Sequence, residues 1–149
     1  MVSWRDVERD APELAARARE AFARGKHATM ATLRADGSPR ISGTEVEMTD
    51  DGELRLGSMA GAVKARDLLR DPRVAVHSPT VDPGEDGADW PGEAKVAGLA
   101  VARPPGEDGS HAFDLDLQEV VWTGLDEARS ALVIQSWHPG RGQQERRRT

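Results

Sequence analysis

The amino-acid sequence predicts a mainly β protein, an antiparallel barrel of six to seven short strands with minor helix. Three observations lead there. Turn signals such as Ala35-Asp36-Gly37-Ser38, Asp50-Asp51-Gly52 and Pro104 to Ser110 punctuate the chain at short intervals. Apolar residues change from a helical to an alternating period near His27. Only two stretches carry a helical stripe, too few for a parallel βαβ layout.

Ser3 followed by Asp6 reads as a helix start, and Val7, Leu14, Ala15, Ala18 and Phe22 give a stripe that ends near Gly25. An N-terminal helix is therefore expected over residues 1–26, with Pro12 as its candidate break. Strands follow over 28–34, 41–48 and 54–57. In the next helix Ala62, Ala65, Leu68 and Leu69 form one apolar face, and Asp71-Pro72 stops it before a strand at 73–77. Residues 79–92 form an acidic, Pro/Gly-rich loop, either functional or mobile. Strands over 94–103, 113–125 and 131–137 complete the set, and 138–149 reads as a flexible basic tail.

A chain of 149 residues suits one domain, 1–149, able to bury a core without a staple. It contains no cysteine, which removes disulfides, thiolate zinc sites and cysteine nucleophiles. The formal charge of −6 argues against a nucleic-acid partner. No stretch is long and apolar enough for a membrane helix, and the charged first residues do not read as a signal peptide. The expectation is a cytoplasmic protein without a membrane partner. The lean first strands, poor in large side chains, point to a shared surface with a second subunit.

Chemistry concentrates in Gly57 to Pro72. Lys64 falls in the first turn of the helix, where unpaired amides and the positive end of the macrodipole disfavour a cation by about 0.3 to 1 kcal/mol. A bound phosphate reverses that sign. The competing reading is a solvated helix lysine. His27, His77, His111 and His138 are scattered without paired spacing, so no metal site is expected. No catalytic acid–base constellation stands out either.

Ala31-Thr32-Leu33 with Asp36-Gly37-Ser38-Pro39-Arg40, Lys64-Ala65-Arg66-Asp67-Leu68, Asp71-Pro72-Arg73-Val74-Ala75-Val76 and Trp137-His138-Pro139-Gly140-Arg141 occur in this order along nearly the whole chain. Together they resemble the FMN-binding split-barrel family of pyridoxamine 5′-phosphate oxidase and its deazaflavin (F-420) relatives. That resemblance implies a split barrel and a homodimer with the cofactor at the subunit interface. It assigns the phosphate to Lys64 and cofactor contacts to Ser42, Thr44, Ser58, Arg66 and Trp137, with Arg40 as a second candidate for anionic groups of the cofactor tail.

The resemblance also implies an activity: F-420- or FMN-dependent hydride transfer to or from a planar unsaturated small molecule. Three positions depart from the oxidase pattern. Val63 stands in place of an arginine, and Ser42 and Glu47 in place of an arginine and a lysine on the second strand. These departures point away from vitamin B6 oxidation, and the chain's length and its Lys64-Ala65-Arg66-Asp67-Leu68 pattern resemble the F-420 relatives better, which ranks F-420 first and FMN a close second. The alternative function is a non-catalytic split-barrel protein binding FMN, F-420 or haem.

Overall fold

Ser3 accepts a hydrogen bond from the Asp6 amide at 3.3 Å and donates its own amide to the Asp6 carboxylate at 2.8 Å, a reciprocal capping box. It starts α1 (Trp4–Asp10), and Ala11 with Pro12 ends it, because Ala11 leaves helical geometry and Pro12 restarts α2 (Pro12–Ala23). The helix expected over 1–26 is thus two helices. The computed structural model describes residues 1–149. Leu14, Ala15, Ala18, Ala21 and Phe22 form the buried side of α2, which packs on the central sheet.

Eight strands follow: β1 (Ala28–Leu33), β2 (Pro39–Met48), β3 (Leu54–Ser58), β4 (Arg73–His77), β5 (Glu93–Ala102), β6 (His111–Leu125), β7 (Leu132–His138) and β8 (Gly142–Arg148), with α3 (Val63–Arg70) between β3 and β4. All pairings are antiparallel, in the order β3-β2-β1-β4-β5-β6-β7-β8, and β3 also pairs with β6. Six strands therefore close a barrel. β7 and β8 extend the sheet beyond it. The segment expected as a flexible tail over 138–149 instead returns as β8, whose Arg147 and Glu145 lie opposite Val133 and Gln135 of β7. Its residues are polar throughout, and backbone pairing rather than burial holds it.

Inward residues fill the barrel. Met30, Leu54, Leu56, Val76, Val96, Phe113, Leu115 and Leu117 are fully buried, each worth about 1.5 to 3 kcal/mol in transfer terms. At Gly98 the register of β5 against β6 shifts by one, with Ala97 opposite Glu119 and Gly98 opposite Leu117. A Cβ at Gly98 would collide with the Asp116 carbonyl oxygen, so only glycine permits this bulge. Trp137 is 1% exposed and belongs to the core.

α3 is tied to the barrel through Asp67, itself only 1% exposed. Its carboxylate accepts from Thr32 Oγ1 of β1 at 2.8 Å, from Arg40 Nε of β2 at 2.7 Å and from Arg70 Nη2 at 2.9 Å. Burial pushes this carboxyl up, but the hydrogen bonds from Arg40, Thr32 and Arg70 prevail and hold it at about 2, against an ordinary 3.8. A group depressed in the folded state stabilises above its unfolded value and loses that contribution as pH falls toward the folded one. Asp67→Asn is therefore expected to lower unfolding free energy by about 2 to 3 kcal/mol at neutral pH. In denaturant titrations the gap to the parent protein should hold down to about pH 4 and close toward pH 2.

Candidate functional site

β3 ends at Ser58, and residues 59–62 turn sharply, with the Ala62 amide bonded to the Met59 carbonyl at 3.2 Å and Gly61 at φ +74°. This turn requires the glycine. α3 then begins at Val63 without a side-chain cap and without an acidic residue in its first turn. Lys64 of its first turn, together with Ser58, Met59 and Ala60 of the turn before it, lines a cleft of about 600 Å³.

Lys64 stands on the wall of that cleft and donates from Nζ to the Gly43 carbonyl of β2 at 2.6 Å. Burial pushes its ammonium below the ordinary value of 10.5, and the Glu45 carboxylate opposes that shift. No carboxylate forms an ion pair with Lys64; Glu45 pairs with Lys26 at 3.7 Å. The ammonium is thus a partly buried cation held by a carbonyl alone. A Cβ at Gly43 or at Gly57 would meet no atom within 4 Å, so bare backbone of β2 and β3 borders open space.

Of the residues nominated from sequence, Thr44, Ser58 and Lys64 line this cleft together. Ser42 does not. On β2 the cleft is lined by Gly43, Thr44 and Glu45, and Ser42, one residue before them, lies outside it. Arg66 is exposed on α3, outside the lining. Trp137 is consumed by the core on β7, and Arg40 is committed to Asp67.

Four lining residues with polar side chains were not nominated: His27, Glu45, Asp108 and Ser110. The Asp108 carboxylate accepts from the Ser110 amide at 3.0 Å in the loop before β6. Pairing of Ser58 with His111 brings that loop across from α3. The turn signal at Asp108-Gly109 was visible in the sequence, but the β3 to β6 pairing that gives it a role was not. The result is one cation and an uncapped helix start facing two rim carboxylates, a setting for a singly charged anionic group.

A family model described as pyridoxamine 5′-phosphate oxidase matches residues 14–119. The chain belongs to the pyridoxamine 5′-phosphate oxidase family. Its matched part runs from within α2 into β6 and contains β1 to β5, the first part of β6 and the residues of the Lys64 cleft.

Solved structures share the fold of this pyridoxamine 5′-phosphate oxidase family member. A pyridoxamine 5′-phosphate oxidase-related, FMN binding protein from Nostoc punctiforme is 10% identical, with 93% of this chain and 96% of that one covered at a TM-score of 0.64. A protein described as an F420 reductase is 19% identical over 68% of this chain and 93% of its own, at 0.50. A heme binding protein from Mycobacterium smegmatis is 16% identical over 90% and 87%, at 0.53. Among curated proteins, none matches the chain.

The Lys64 geometry makes its own prediction. Replacing an ammonium that lacks a counter-ion and opposes the helix dipole relieves strain, so Lys64→Met is expected to raise stability by about 0.3 to 1 kcal/mol. Chemical denaturation of the two proteins measures this, and a loss of stability would assign Lys64 a structural role.

Proposed function

We propose that this chain is an oxidoreductase that binds the deazaflavin F-420, with FMN as the second candidate. The observation that carries the reading is the charge of the cleft: Lys64 as its one lysine or arginine, the uncapped start of α3, and Glu45 and Asp108 on the rim. The phosphate of FMN is a monoester carrying about −1.5 to −2 at neutral pH. That of F-420 is a diester with a single charge, which one lysine matches while two nearby carboxylates oppose a second charge. Val63 and Glu47 supply no cation at the positions where the family's oxidase carries arginine and lysine. Lys26 and the exposed Arg66, which has no ion pair, lie on the cation side of the ledger for the acidic tail of F-420.

F-420, when bound, supplies two-electron hydride chemistry. The chain's own residues bind and orient. Lys64, now bonded to the Gly43 carbonyl, would hold the phosphate, and Ser58 and Thr44 would offer hydroxyls beside it. The bare strips at Gly43 and Gly57 give a flat group room to approach the backbone. No acid–base residue of the chain is assigned to the reaction. Val63 and the rim carboxylates also favour a second reading, a binding protein without turnover, and reoxidation of reduced F-420 by a quinone separates the two.

A homodimer fits the same cleft. Ile41, Ala31, Ala75 and Ala97 lie directly opposite one another across β2, β1, β4 and β5, forming an apolar row on the outer face of the barrel. Ile41 is 74% exposed. The next row contains Gly43, whose carbonyl receives Lys64, so a subunit seated on this face would also border the cleft.

Fluorescence titration tests the cofactor. F-420 is expected to bind at micromolar concentration and more tightly than FMN, with Lys64→Met weakening it by about 10- to 100-fold. Binding of neither cofactor at tens of micromolar, or an unchanged variant, would sink the proposal. Light scattering tests the dimer: Ala75→Glu places a charge in the apolar row and should yield monomers with impaired F-420 binding.

A further inference from the structure

A second cleft, of about 680 Å³, lies between α2, the end of the acidic loop and the β6–β7–β8 extension, and shares no residue with the Lys64 cleft. We propose that it binds a zwitterionic aromatic small molecule of the amino-acid type. The proposal is independent of the cofactor reading.

Gln135 supplies the decisive observation. It lines this cleft, is 4% exposed, and occupies the inner position of β7 between Val133 and Trp137, where an apolar residue would be expected. Its Nε2 donates to Glu145 Oε1 at 3.0 Å, but its Oε1 is buried without a partner. Such an orphan acceptor costs about 1 to 3 kcal/mol, and a ligand N–H would satisfy it.

Two indoles give the cleft its aromatic character. Trp122 is fixed, because its ring passes so close to Gly92 and Gly124 that a Cβ at either would strike it. The Arg17 guanidinium lies 4.5 Å from the centre of that ring, held by a cation–π contact and by no carboxylate. Trp90 remains half-buried at the end of the loop, where Arg24 clamps the carbonyls of Pro91 and Gly92 at 3.2 and 3.1 Å. Its ring is the stacking surface left for a ligand.

The charges divide into committed and uncommitted groups. Arg147 contacts Asp126 at 3.4 Å and Glu145 at 3.9 Å. Arg17 and Arg129 carry no ion pair, and neither do Glu13 and Glu127, although all four line the cleft. The two arginines suit a carboxylate and the two glutamates an ammonium. Arg129 moreover holds φ +55°, a conformation that disfavours a side chain, so its retention there has a stability cost.

L-Tryptophan, which has a ring N–H, a carboxylate and an ammonium, is the probe for calorimetric titration of the full chain. It should bind, while tryptamine and indole-3-propionate, each lacking one charge, should bind about tenfold more weakly. Gln135→Leu should weaken binding by about tenfold without loss of stability. Arg129→Gly relieves the positive φ, so this variant should fold at least as well as the parent while binding less. No heat at millimolar L-tryptophan, equal binding of the three compounds, or unaltered binding by both variants would overturn the proposal. F-420 titration of Gln135→Leu should match the parent, which keeps failure here distinct from failure of the cofactor reading.

Discussion

The β3–β6 pairing turns an open sheet into a barrel, and almost everything at the Lys64 cleft follows from it. Arg55, Leu56, Gly57 and Ser58 lie opposite Asp114, Phe113, Ala112 and His111. At one end of this seam the Asp114 carboxylate accepts from Arg55 Nε at 2.7 Å and from Arg103 Nη1 at 2.8 Å. Burial pushes the Asp114 carboxyl up, yet the bonds from Arg55 and Arg103 hold it below the ordinary range. The carboxylate thus stays ionised and clamps β3, β5's exit and β6 together. At the other end the same seam sets Ser110 and Asp108 across from Ser58 and the start of α3.

Much of the fold was legible because alternation and turn chemistry are local. The strands at 28–33, 54–58 and 73–77 and the helix before Asp71 all carry their signals within a few residues. β8 was not legible for a physical reason: Gln143 to Arg148 has no apolar alternation, and its hydrogen bonds to β7 leave no mark on side-chain composition. The break at Ala11 and Pro12 was legible in kind. The N-terminus is further strapped to β6 by Val2, whose amide donates to Asp116 and whose carbonyl accepts from Leu117, contacts spanning most of the chain.

The site shows the same division. Lys64 was singled out because a cation at a helix start is a local anomaly, Ser58 and Thr44 through the family resemblance, and the three line one cleft. Ser42 and Thr44 share one face of β2, yet only Thr44 lines the cleft. Alternation alone does not say where along a strand a cleft begins. Trp137 shows the converse: a large aromatic near a motif is a natural ligand candidate, yet on β7 it is buried in the core and lies outside the cleft.

The distribution of charge makes the proposed anion site compatible with an acidic chain. Net charge sets the far field, but a phosphate in a cleft responds to groups within a Debye length, about 8 to 10 Å at physiological salt. Within the cleft one partly buried ammonium and an uncapped helix start act at short range, where a reduced dielectric strengthens them. Glu45 and Asp108 then limit how much negative charge the same place tolerates. Under the proposed function such a site would select among phosphates by charge state rather than by overall affinity for anions, so the identity of the ester, monoester or diester, bears on it more than the net charge of −6.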